Sequence, residues 1–302
     1  MFNIDGERWR PLRVNLSPVF SSGKIKEMFH LIADCSKQIE KYIDRALEKG
    51  EIVDCREMAA KFTTDVIGSC AFGINMNAMT DEGSEFRRLG KTILAPNLTR
   101  KIRKFLRDGA PKFYDILSYV LPPMEVWTFL TRVVTDTIKH REQNNIFRPD
   151  FVNTLMNLRK HPEKMENLEV TDNLLAAQSF VFFLAGFETS SVTVGCLLYE
   201  LARNHALQDR LREEIKEHCC TDEDLKYDVI RKMKYLHKVF EETLRKYPPV
   251  TNLTRRSTSN YTFSGTKISI PKDTSIIIPL HAIHMDPNIF PNPEIFEPER
   301  FN

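Results

Sequence analysis

FFLAGFETSS occupies residues Phe182 to Ser191. The stretch lies in the middle of an apolar segment that reads as one long helix. Thr171 or Asp172 caps it, and apolar residues continue past Leu198 to about Arg203. A glycine inside a helix costs about 1 kcal/mol relative to alanine. A carboxylate in apolar surroundings is expensive unless water or a partner meets it. Two readings follow. In one, the helix packs on several sides and Glu188 reaches a surface. In the other, Gly186 lets a flat cofactor approach the backbone. The Thr189 hydroxyl then bonds its own helix carbonyls or an inserted water, and Glu188 feeds protons into that space.

Outward from this helix the chain is helical on the N-terminal side. Ile25, Met28, Phe29, Ile32, Ile39, Ile43 and Leu47 keep three- and four-residue spacing, and Gly50 closes the segment. Asp54 is placed to cap the next helix, with Met58, Phe62, Val66 and Ile67 inward. Residues 75–90 read as a polar loop. Helical patterns resume over about Lys112 to Val120 and Glu125 to Asn144, separated by Pro122 and Pro123. On the C-terminal side, helices are expected over about Ala206 to His218 and Ile230 to Arg245, the second stopped by Pro248 and Pro249. LTRRSTS, YTFSG, TKISIP and TSIIIP then read as short strands of a minor sheet. The proline-punctuated end from His281 reads as an ordered loop. The fold class is mostly α with a small β part.

The chain has 302 residues, 42% of them hydrophobic, and a formal net charge of +2. This is a globular composition, and so small a net charge gives no electrostatic footprint for nucleic acid. Cys35, Cys55, Cys70, Cys196, Cys219 and Cys220 include no C-x-x-C spacing, so reduced thiols are expected and no metal site is read from them. His281 and His284 lack a surrounding ligand set and read as structural. No unbroken apolar run reaches the ~18 residues of a membrane span. No signal peptide opens the chain.

Two further constellations stand out. Glu242 and Arg245 share a helix face, and a surface pair of that kind is worth only about 0.3 kcal/mol. Its place at a helix end, just before KYPP, and the arrival of Arg300 in Pro298-Glu299-Arg300-Phe301 point to a buried cluster of one carboxylate and two guanidiniums. Trp9 and Arg13 also share a face, and Pro11 between them predicts a helix start near Trp9. An indole N–H and a guanidinium there suit a carboxylate ligand. The alternative is an exposed arginine beside a packed tryptophan.

In their order and spacing, WRPLR, LSPVFSSGK, DFVNTLMNL, AGFETSS, ETLRKYPPV, PKDTSIIIP and HMDPNIFPNPEIFEPERF resemble the haem-thiolate monooxygenases, the cytochrome P-450 family, and within it the microsomal, insect-type xenobiotic branch. The resemblance implies a cytochrome P-450 fold incomplete at both ends, with residues 1–302 forming one partial domain. It assigns Trp9, Arg13 and Arg255 to the haem propionates. Ala185 and Gly186 become the wall over the haem, and Glu188 and Thr189 the acid–hydroxyl pair that assists proton delivery to dioxygen. Glu242, Arg245 and Arg300 become the structural cluster beside the haem. Phe183, Val250, Thr251 and Leu253 fall in segments lining the substrate pocket. The family's iron-ligand cysteine is expected beyond residue 302, and its N-terminal membrane anchor is absent from the chain.

The implied activity is insertion of one atom of dioxygen into a lipophilic small molecule. Electrons would come from an NADPH-dependent flavoprotein reductase at the cytosolic face of the endoplasmic reticulum membrane. The 302-residue chain alone is expected to be inactive. The rival from another class is a non-catalytic truncated product, a scaffold or the product of a pseudogene. A helical lipid-binding protein would explain the apolar helix but not Arg255, Glu242, Arg245 and Arg300 together.

Overall fold

The computed structural model describes residues 6–81, 84–94, 125–165 and 168–302. The helix expected over Lys112 to Val120 and the prolines at 122 and 123 lie outside them. Two compact units are present. The first is built mainly from Arg8–Tyr42 and Thr64–Phe187, the second mainly from Ile43–Thr63 and Glu188–Asn302.

The helices are α1 (Gly6–Leu16), α2 (Ser22–Glu48), α3 (Cys55–Ile67), α4 (Glu85–Leu94), α5 (Glu125–Asn144), α6 (Phe151–Lys160), α7 (Asp172–Arg203), α8 (His205–His218), α9 (Tyr227–Ile230), α10 (Lys234–Lys246) and α11 (Leu280–His284). α2 runs up to Gly50, which takes a left-handed φ of +66°. Asp54 Oδ1 caps α3 by accepting from the amides of Arg56 and Glu57. Thr171 caps α7 by accepting from Leu174 N through Oγ1. The β part is two separate pairs rather than one minor sheet. β1 (Leu253–Arg256) lies antiparallel to β4 (Ser275–Ile278), and β2 (Tyr261–Thr262) to β3 (Ser269–Ile270).

Three local expectations are corrected. α1 starts at Gly6, so Pro11 sits inside it rather than in its first turn. A proline there forfeits a backbone hydrogen bond, yet the helix persists because Pro11 and Leu12 are buried against the first unit. Within the expected loop over 75–90, Glu85 begins α4, whose Leu89 is buried. The single helix expected over Ile230 to Arg245 is split by an extended Met233, and α10 starts afresh at Lys234. The cause is remote. The Glu214 carboxylate on α8 accepts from Tyr235 N and Leu236 N, both at 2.8 Å, and so caps α10 from another element.

The first unit has an aromatic core. Phe182 stacks on Phe151 at 3.8 Å and on Phe20 at 5.0 Å, and Phe183 packs on Phe187 at 5.0 Å. Beside it lies a buried ion pair. Arg141 donates to Asp150 through both terminal nitrogens, at 2.8 and 2.7 Å, and also to Phe72 O. Asp150 further caps α6 through Asn153 N. Gly73 borders this pair at φ +65°, and a Cβ there would stand 2.3 Å from Arg141 Nη2.

α7, at 32 residues, is long and apolar enough to cross a bilayer by length and composition alone. Its polar residues tie it to protein instead. Glu188 meets Arg56, and Glu200 accepts from Lys246 Nζ at 2.8 Å and Tyr247 Oη at 2.5 Å. Burial, reinforced by Glu200, pushes the Tyr247 hydroxyl well above its ordinary range, so it stays a donor.

Gly73→Ala is therefore expected to combine a left-handed penalty of about 1–2 kcal/mol with displacement of the Arg141 guanidinium. Denaturant unfolding should show a loss of at least ~2 kcal/mol, and an unchanged midpoint would refute the packing described.

Candidate functional site

The centre of α7 presents Ala185 to solvent, while Glu188 and Thr189 are half-buried. Two hydroxyls bond back onto the same turns. Ser191 Oγ donates to Glu188 O, and Thr193 Oγ1 donates to Thr189 O, both at 2.9 Å. Such contacts compete with the helix ladder and soften it locally. The Glu188 carboxylate is held by Arg56 Nη2 at 3.0 Å. Arg56 lies in the first turn of α3, where its backbone approaches α7 at Gly195. A Cβ on Gly195 would sit 3.6 Å from Arg56 Cα. Glu188 thus has a cationic partner and a partly wet carboxylate, which resolves the cost of placing an acid here.

A Cβ on Gly186 would stand 2.5 Å from Ile67 Cδ1, so the glycine makes room for Ile67 of α3. Phe183 is 1% exposed and belongs to the aromatic core. Val250 and Thr251 are exposed, and Leu253 is half-buried at the start of β1.

Trp9 is 41% exposed and Arg13 is exposed on α1 of the first unit. In the second unit Arg255 is exposed on β1, where its guanidinium donates to Thr254 O at 3.0 Å. Neither Arg13 nor Arg255 has a carboxylate partner among the described residues. Within its own unit, each exposed guanidinium is a donor that suits an anionic carboxylate.

Glu242, Arg245 and Arg300 come together. Glu242 is 0% exposed and takes a bidentate contact from Arg245, with Nε at 2.7 Å and Nη2 at 2.8 Å. Arg300 Nε reaches the same carboxylate at 3.5 Å, and Glu297 N donates to it at 2.9 Å. Arg245 then donates to His284 O, Pro293 O and Ile295 O. One buried pair thereby fastens the proline-rich segment that follows α11 onto the end of α10.

Four of the thiols are held toward the protonated form. Burial raises Cys35 to about 11 and Cys70 to about 12, and also raises Cys196 and Cys219. Arg56, Asp150 and Glu214 escape a sequence reading, as does the contact of Ile67 with Gly186. Asp54 does mark the first turn of α3, but nothing local ties Arg56 to Glu188.

This is the setting in which the comparisons with known proteins fall. The chain belongs to the cytochrome P450 family, whose family model, "Cytochrome P450", matches residues 1–302. Among its relatives is "Cytochrome P450 6A1" of Musca domestica, 41% identical over 99% of this chain and 60% of that protein. "Cytochrome P450 6a2" of Drosophila melanogaster is 41% identical over 100% of this chain and 62% of its own length. "Probable cytochrome P450 6a20" of the same fly is 40% identical, with 100% and 61% covered. The chain therefore spans about 60% of the length of the curated relatives it matches.

The two ion pairs differ in what they hold. Glu242→Gln strands a buried Arg245 and should cost about 3–5 kcal/mol. Arg56→Ala removes a partner whose side chain is 70% exposed, and should cost under ~1 kcal/mol. Equal losses for the two variants in denaturant unfolding would contradict this ordering.

Proposed function

We propose that the protein is a haem-dependent monooxygenase that inserts one atom of dioxygen into a lipophilic small molecule. Electrons come from an NADPH-dependent flavoprotein reductase at the cytosolic face of the endoplasmic reticulum membrane, and xenobiotics are the substrate class. The observation that carries this reading is the centre of α7. An acid and a hydroxyl sit in adjacent positions there, half-buried, in the most apolar of the described helices.

Bound haem would supply the oxygen chemistry. Arg13, Arg255 and Trp9 would hold its carboxylates, and the exposed Ala185 would offer a small surface for it to lie against. Thr189 holds a proton at Oγ1 within that apolar wall. Glu188, partly open to water and tethered by Arg56, moves protons from solvent toward Thr189. Val250, Thr251 and Leu253 contribute to the substrate pocket. The Glu242–Arg245–Arg300 cluster acts structurally, keeping the segment that follows α11 in place.

In the full-length protein, Thr189→Ala should leave substrate binding near wild type. Product formed per NADPH should fall about tenfold or more, with peroxide release rising in step. Unchanged coupling would remove the proton-delivery role from this pair.

A further inference from the structure

A cavity of about 230 Å³ opens on the first unit, between the start of α2 and the start of α6. Pro18, Met28, Phe147 and Pro149 form its apolar part, and Asn153 and Asn157 stand on its α6 side. The volume falls below the ~300–1,000 Å³ of small-molecule sites and suits one large apolar side chain. Phe147 borders it at 75% exposure, although phenylalanine is ordinarily withdrawn from water. Asn153 and Asn157 are one turn apart on the same face of α6, about 6 Å along the axis. Neither side chain has a hydrogen-bond partner among the described residues, although each amide brings two donors and an acceptor. An extended chain presents equivalent peptide groups every second residue, about 6.7 Å apart. The two amides thus match the repeat of an extended backbone. Of the charges lining the cavity, Asp150 is held by Arg141 and Lys24 by Glu27. Lys160, one turn beyond Asn157 on the same face, is exposed and has no acidic partner among the described residues.

We infer that this cavity is a docking site for an extended peptide segment of a partner protein. One leucine- or phenylalanine-sized side chain enters beside Phe147. Asn153 and Asn157 each meet a peptide unit of the bound backbone, donating to its carbonyl and accepting from its N–H. Lys160 selects an acidic residue within about two positions of the apolar anchor. The anchor supplies most of the affinity, and the two amides fix the register. The site stands apart from the acid–hydroxyl pair of α7, and the inference does not rest on the monooxygenase reading.

The test uses the full-length, haem-loaded protein and a fluorescein-labelled pentapeptide, Glu-Ala-Leu-Ala-Glu, with binding followed by fluorescence anisotropy. Replacing the leucine by alanine should weaken binding about tenfold. Replacing both glutamates by lysine should weaken it about fivefold at low salt, and less at about 0.5 M salt. Asn153→Ala and Asn157→Ala should each weaken it about threefold to fivefold. Both variants should melt as wild type does, because neither amide has an internal partner. Photo-leucine at the central position should crosslink to residues within 18–28 or 147–157. Binding unchanged in both asparagine variants overturns the inference, and so do crosslinks that map elsewhere. N-acetyl-leucinamide binding as tightly as the pentapeptide makes the cavity a small-molecule site and also overturns it. Absence of binding by the pentapeptide overturns it as well, and each of these failures leaves the monooxygenase reading standing.

Discussion

A carboxylate with no exposed surface stays charged only against a cation that is itself fully satisfied, and Glu242 with Arg245 meets that condition. Arg245 spends its remaining donors on three backbone carbonyls between His284 and Ile295. Those carbonyls belong to a segment too rich in proline to satisfy itself by helix or ladder. The pair therefore does more than balance charge. It supplies hydrogen bonds to backbone that could find them nowhere else, and the end of α10 and the segment reaching Arg300 become one object. Glu297 N donates to the same carboxylate, and Arg300 Nε adds a second positive charge 3.5 Å from it.

α7 solves the related problem of carrying acids through apolar surroundings. Its two interior carboxylates, Glu188 and Glu200, each meet a basic partner, and the two are handled differently. Glu200 is sealed by Lys246 and Tyr247, whereas Glu188 is half-buried and paired with an exposed arginine. A sealed acid holds structure, and a half-buried acid can exchange protons with water. The glycines follow the same logic. Gly186 and Gly195 are places where α3 comes up against α7, one under Ile67 and one under Arg56.

Much of this was legible in the chain because periodicity and caps are local. The bounds of α2, α5, α7 and α8 and the start of α3 follow from apolar spacing and from Asp54, Thr171 and Gly50. The meeting of Glu242, Arg245 and Arg300 could be anticipated because an arginine inside a proline-rich tail has few other uses. What stayed hidden was set by residues far apart. The break before α10 depends on Glu214, the persistence of α1 through Pro11 on burial of its neighbours, and the use of Gly186 on Ile67. The packing of the Phe183 ring on Phe187 in the aromatic core is likewise not legible in the local sequence. At the centre of α7 the residue types were readable, and the tether from Arg56 was not.

The capping of α10 by Glu214 has a consequence for how the second unit assembles. The first amides of α10 have no local acceptor, since Met233 provides no side-chain cap. Their protection comes from a carboxylate on α8. α10 is thus not an autonomous folding element. Its first turn becomes stable only when α8 is already docked, and the two helices open and close as one cooperative unit. Exchange of the Tyr235 and Leu236 amides with solvent would then report on the attachment of α8, and the buried Glu242–Arg245 lock further along α10 would inherit that dependence.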